Sequence, residues 1–278
     1  MLKDFGAFGL RMSNGTEYGE TMRVCLLASG SKGNALYIET GDTRLLVDAG
    51  LSAREMQARL AAIDVDHLSL HAIIISHEHN DHIRGAGTLA RRCKIPLLTS
   101  NQVAKPLRAL VGKTDQIAFA AGDAFCFRDL DIEPFPITHD ALDPVGFVIS
   151  SREGRIGFAT DLGIATRLVQ DRLANCRALV VESNHDEQML LDGPYPWHLK
   201  QRIKSRHGHL SNNDSAQLLA ELLHDHLEGI FLAHLSETNN DPTLAHDTTA
   251  KLLAGQNVCS PELYVGRQGQ PSPVLHLN

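Results

Sequence analysis

Residues 75–85 read ISHEHNDHIRG and follow the apolar run LHAIII that ends at Ile75. His77, Glu78, His79, Asp81 and His82 are crowded into one turn. A solvated loop gains nothing from three imidazoles, and a buried one must compensate each of them. Helical presentation fails, because His77 and His79 would point to nearly opposite sides. An extended loop places His77, His79 and Asp81 on one side and turns His82 away. One metal ion would struggle to collect all four, whereas two adjacent ions could divide them.

Two such ions need further ligands, and rigid strand ends are the places to present them. His139 ends EPFPITHD, Asp161 ends RIGFATD and His234 ends GIFLAH, each behind an apolar run. His67, His71, His224, His226 and His246 lie in polar or helical stretches, where surface or structural roles are expected.

The 278 residues, 43% of them hydrophobic, supply ample core. No segment approaches the roughly 20 apolar residues that span a bilayer, so a membrane partner is not expected. A net charge of −7 excludes a generic polyanion-coating protein. Five cysteines lie far apart without a CxxC pair, as suits reduced thiols and a cytoplasmic location. Residues 1–21 are mixed and glycine-rich, with no signal-peptide core, and are expected to be a disordered extension. Residues 22–278 read as a single domain.

Along that domain, MRVCLLASGSKGNALYIET reads as strand, turn and strand, and RLLVDAG as a further strand. SAREMQARLAA is a helix with a Ser52/Glu55 capping box. Helices are expected near 83–93 and 101–111, then short strands, then helix–strand alternation. ELYVGRQGQPSPVLHL is expected to close the chain as a hairpin. Sheets flanked by helices imply a layered α/β fold.

HxHxDH behind an apolar strand, followed by a His, an Asp and a His at later strand ends, resembles the metallo-β-lactamase superfamily. That resemblance implies a four-layer αββα sandwich with two mixed β-sheets. It assigns His77, His79 and His139 to one ion and Asp81, His82 and His234 to a second. Asp161 would bridge the two, together with a water or hydroxide, and Asp48 of LLVDAG would support the metal loop. Nitrogen and oxygen donors without cysteine suit zinc, manganese or iron. The implied cofactors are two divalent ions, zinc or manganese, which make hydrolysis the default reaction.

Among the branches, the short interval from Asp161 to His234 leaves no room for a large inserted nuclease domain. SGSKGN (29–34), ESNHD (182–186) and GHLSN (208–212) are similar to the compact YycJ/WalJ group. Membership implies a cytoplasmic 5′→3′ exonuclease on double-stranded DNA, with a link to mismatch repair and to DNA-repair proteins as partners. Asp81 would be indispensable, and His209 would contact the scissile phosphate or the leaving group. Ser31 and Asn34 of the glycine turn are candidates for anion contacts. Ser211, a good N-cap, is grouped with them. Lys200, Arg202 and Lys204 belong to the basic run WHLKQRIKSRHGHL, which suits phosphate backbone; Arg84, Arg91, Arg92 and Lys94 would extend that track. The alternatives are a phosphodiesterase for small nucleotide or cyclic diesters, and a non-catalytic metal-bearing scaffold. Oligomeric state has no signature in the sequence.

Overall fold

The computed structural model describes residues 21–277. The expected N-terminal extension over 1–21 therefore lies, apart from Thr21, outside the described residues. The first sheet is built from β1 (Met22–Ala28), β2 (Ala35–Glu39), β3 (Arg44–Val47), β4 (Ala72–Ile74), β5 (Leu97–Ser100) and β6 (Gln116–Phe119). The second comprises β7 (Phe125–Phe127), β8 (Leu130–Pro136), β9 (Val145–Ser150), β10 (Arg155–Ala159), β11 (Ala178–Glu182), β12 (Gly229–Ala233) and β13 (Glu262–Val265). A last strand, β14 (Leu275–Leu277), returns to the first sheet beside β1. Both sheets are mixed: β3 to β6 and β10 to β13 run parallel and the other pairings are antiparallel.

Strand alternation produces the four layers. Along β1, Met22, Val24 and Leu26 face the second sheet, while Cys25 and Leu27 face the outer helices. Along β11, Ala178 and Val180 enter the same inter-sheet core, and Leu179 and Val181 turn outward. Both faces of both sheets are thus apolar, and helices must cover the outer ones. Helices α1 (Ala53–Ala61), α3 (Ala86–Cys93) and α4 (Ala104–Val111) cover the first sheet. Helices α5 (Arg167–Leu173), α8 (Asn212–Leu222) and α9 (Pro242–Ala254) cover the second. Each fully buried Leu, Ile or Phe contributes roughly 1.5–3 kcal/mol of transfer free energy. This is the αββα sandwich that the sequence implied.

Two local expectations need correction. The helix placed near 83–93 is divided into a single turn, α2 (Asn80–Ile83), and α3, separated by Arg84 and Gly85. The C-terminal segment is no hairpin: β13 pairs with β12 and β14 with β1, in different sheets. Pro271 and Pro273 cannot donate to a ladder, and Ser272 between them bonds Leu26 through its N–H and its hydroxyl instead. The Ser52/Glu55 capping box forms as read.

Candidate metal centre

The site lies at the C-terminal ends of the parallel strands of both sheets, where open α/β sheets gather their functional loops. Three of its residues, Asp48 after β3, Asp161 after β10 and His234 after β12, hold φ of 63°, 56° and 57°. Left-handed backbone is costly for a non-glycine residue and persists where the surroundings impose it. Here it turns each side chain off its strand and into the gap between the sheets. For His234 the restraint is visible: its N–H donates to Ser29 Oγ at 2.6 Å, and its carbonyl accepts from Asn184 Nδ2 at 2.8 Å.

The histidine turn is extended only as far as His79. Asp81 and His82 then occupy α2, where successive side chains diverge by about 100° rather than alternating. This corrects the fully extended reading and explains how both reach one place. His82 Nε2 lies 3.3 Å from Asp81 Oδ2 and 3.2 Å from Asp161 Oδ2. His234 Nε2 lies 3.5 Å from the same Asp81 oxygen. On the other side, His139 Nε2 is 3.4 Å from His79 Nδ1 and 3.6 Å from Asp161 Oδ1. His77 Nε2 is buried with no hydrogen-bond partner. Two donor groups result, His77/His79/His139 and Asp81/His82/His234, with the donor atoms of each within 4.8 Å of one another. Asp161 stands between them, with Oδ2 toward His82 and Oδ1 between His139 Nε2 at 3.6 Å and His234 Nδ1 at 3.4 Å.

Behind these donors lies a second set of partners. His82 Nδ1 binds the Asp48 carboxylate at 2.7 Å, and His234 Nδ1 binds Glu182 Oε1 at 2.7 Å. The Ser76 hydroxyl links Asp48 Oδ2 (2.7 Å) to His77 Nδ1 (3.0 Å). Each ring is anchored through Nδ1 and leaves Nε2 for the gap, the arrangement that fixes the tautomer of a metal-binding histidine. Glu182 also takes His209 Nδ1 at 2.9 Å on Oε1, and the N–H groups of Leu162 and Leu210 on Oε2. With its lone pairs so engaged, it orients His209 and His234, with which, and with Asp161, it forms a further donor cluster. Glu182 was not singled out from the sequence, although it ends the apolar strand ALVVE just as the chosen residues end theirs.

The charges follow from this packing. Burial is the largest single influence on His82 and His234 and works against their charge, but the carboxylates together reverse it, Asp161 with Asp48 at the first and Asp161 with Asp81 and Glu182 at the second. His82 is held well above its ordinary value and His234 is raised to about 10. Burial likewise opposes ionisation of Asp161 and Glu182, and the neighbouring histidines reverse it; Asp161 lies well below the usual range and Glu182 at about 2. Burial pushes His77 and His139 down. Buried imidazoles set among carboxylates, each with a nitrogen or oxygen facing a common gap, fit divalent cations.

A cavity of about 250 Å³ opens over the donors and is lined by Ser31, Asp140, Tyr195, Arg202 and His209 among others. The remaining substrate candidates divide. Asn34 is buried, with its amide nitrogen 3.2 Å from Asp81 Oδ2 and from His82 Nε2, so it braces the metal loop and does not face the cavity. Lys200 is buried and donates to Leu191 O at 2.5 Å. Ser211 is the buried cap of α8, hydrogen-bonded with Asp214. Lys204 lines a neighbouring groove with Arg206. The anion-cradle reading of SGSKGN is also corrected: the N–H groups of Gly30, Lys32 and Gly33 bind Asn34, Gln268 and Gly30. Arg91 and Arg92 bind Val111 O and Gln57 on α3's outer side, away from the cavity. Among the described residues no helix is long and apolar enough to cross a membrane.

Comparison with known proteins agrees with this geometry. The family described as beta-lactamase superfamily domain matches residues 43–230. The chain is 37% identical over 235 residues to exodeoxyribonuclease YycJ of Bacillus anthracis, covering 84% of this chain and 89% of that one. It is 39% identical over 237 residues to exodeoxyribonuclease WalJ of Streptococcus pneumoniae serotype 2, covering 84% and 88%. Among solved structures, the metallo-beta-lactamase fold protein YhfI from Bacillus subtilis superposes with a TM-score of 0.68 at 19% identity, over 92% of this chain and 99% of that one.

Proposed function

The chain belongs to the β-lactamase superfamily, among its YycJ- and WalJ-like members, and from that footing we propose that it is a two-metal phosphodiesterase acting as a 5′→3′ exonuclease on double-stranded DNA. The observation that carries the reading is Asp161, whose two carboxylate oxygens reach toward both donor groups. The exonuclease names of the relatives supply the substrate. His77, His79 and His139 would hold one ion and Asp81, His82 and His234 the other, with Asp161 available to both. Zinc and manganese both suit this donor set.

Divalent ions so held supply Lewis acidity, a water of lowered pKa and charge neutralisation for in-line displacement at phosphorus. The protein supplies the rest. Asp48 and Glu182 keep the ligand rings in register. His209 lines the cavity with Nδ1 tied to Glu182. Burial disfavours its charge, yet Glu182 raises its pKa. A ring so held is suited to take up a proton and would deliver it to the departing 3′ oxygen. Ser31 also lines the cavity and would serve as a hydrogen-bonding partner for the nucleotide. A repair role and a cytoplasmic setting fit this activity.

The test is removal of metal, separate restoration of Mn²⁺ or Zn²⁺, and digestion of 5′-end-labelled duplex beside Asp81→Ala. Metal-dependent release of labelled mononucleotide should be at least about 100-fold slower in the variant, since Asp81 is a ligand of the second ion. Intact duplex with both metals would refute the exonuclease reading.

A further inference from the structure

Asp140, next to the ligand His139, is in an unusual place. Its Oδ1 lies 3.5 Å from His139 Nε2. That nitrogen has His79 Nδ1 at 3.4 Å and Asp161 Oδ1 at 3.6 Å. Asp140 Oδ1 thus stands at the edge of the first donor group, beside His139 and outside the His77/His79/His139 cluster itself. Its other oxygen, Oδ2, is gripped by Arg202 through Nε at 2.7 Å and through Nη2. The carboxylate thus spans from the donor shell to a guanidinium.

Arg202 reaches it from α7 (Trp197–Ile203), and it is the one Lys or Arg among the described residues that line the cavity. The guanidinium fork matches carboxylate and phosphate alike. The pair is not locked in the core: the Asp140 and Arg202 side chains are 34% and 61% exposed. Asp140 can swing outward without leaving a buried charge, and a singly charged diester replaces a singly charged carboxylate.

We propose that the scissile phosphate displaces Asp140 from the fork of Arg202, so that Asp140 is a built-in stand-in for substrate and Arg202 a catalytic residue that holds a non-bridging phosphate oxygen. This rests on the phosphodiesterase reading above and deepens it. Arg202 forms and breaks no bond; it stabilises charge gathering on the phosphate as the 3′ oxygen leaves. The outward movement of Asp140 opens the position to the substrate.

The experiment uses three probes with metal-loaded wild type, Arg202→Gln, Arg202→Lys and Asp140→Asn. They are calorimetric binding of inorganic phosphate, turnover of bis(4-nitrophenyl) phosphate, and turnover of labelled duplex. Arg202→Gln should weaken phosphate binding and lower kcat on the small diester and the duplex by similar factors, about 10- to 100-fold, as expected for a lost charge-assisted bond. Arg202→Lys should fall between, keeping charge but losing the fork. Asp140→Asn should bind phosphate about 3- to 10-fold more tightly, because a full carboxylate no longer competes. If Arg202→Gln raised KM for duplex alone and left the small diester unchanged, Arg202 would hold a flanking phosphate and the proposal would fall. Weaker phosphate binding by Asp140→Asn would also overturn it, showing a brace and not a competitor. Wild type that cuts the diester and spares DNA would sink the exonuclease reading while leaving this test intact. If neither were cut, the phosphodiesterase reading would fall, and the catalytic role of Arg202 with it.

Discussion

His82 and His234 share one design: a buried carboxylate on Nδ1 and an Nε2 turned toward Asp81. In the metal-free protein the carboxylates favour the doubly protonated rings, raising His82 well above and His234 to about 10. An imidazole unperturbed near 6.5 and raised on folding stabilises the metal-free fold fully below that pH. For His234 this contribution is lost as pH climbs through about 10. To bind an ion each ring must give up a proton, so metal loading at pH 7 should release one to two protons. Apparent affinity should rise by about tenfold per pH unit for each proton released between pH 6 and 8. Calorimetry of Zn²⁺ binding in buffers of different ionisation enthalpy reads this directly, and buffer-independent heats would contradict it. The clustering of these donors was legible in the sequence because few other residue types bind metal and most of the elements that carry them follow apolar runs. Glu182 was not, since a carboxylate after a strand is common and only the fold brings His209 and His234 to it. Asn34 and Ser211 were misread for a related reason: a polar residue in a turn gives no sign of whether it faces solvent or braces a neighbour.

The metal loop is held as an element by close backbone contacts. Asn34 N donates to Asp81 O at 2.8 Å and Gly50 N to Asn34 O at 2.9 Å, so three segments meet at one point. A Cβ on Gly50 would fall 1.6 Å from Asp81 O, a contact that no rotamer relieves. Gly50→Ala should therefore displace α2, destabilise the fold by about 2 kcal/mol or more and weaken the second ion's site more than the first. Thermal melts with a paired metal titration would show it; a variant with unchanged melting and stoichiometry would refute it. Elements set by local pattern were readable in advance: short apolar runs marked the strands, and Ser52 with Glu55 marked the start of α1. The partner of each strand was not, because β13 and β14 are adjacent in sequence and chose edges of different sheets. The break at Arg84 and Gly85 was equally hidden, since the apolar spacing runs through it.

At the scale of the molecule, the donors come from both sheets, with His77 to His82 after β4 and His139, Asp161 and His234 after β8, β10 and β12. Ions bound there should act as clasps across the sandwich. At a free concentration 100 times Kd, each ion adds about 2.7 kcal/mol, or roughly 5–10 °C in melting temperature for a domain of this size. Calorimetric melts of metal-loaded and chelator-treated protein test this, and coincident transitions would mean that no ion bridges the halves. The layered architecture was legible because both faces of most strands are apolar; the depth of the cavity was not, since it depends on where α7 lies. The return of β14 to β1 has a consequence for synthesis. While the ribosome is still making the second sheet, the His77–His82 loop has already emerged without Asp161 or His234, and β1 lacks a neighbour on one side. A nascent chain therefore offers passing metal only part of a grip, and the full donor set is present only once translation has passed His234.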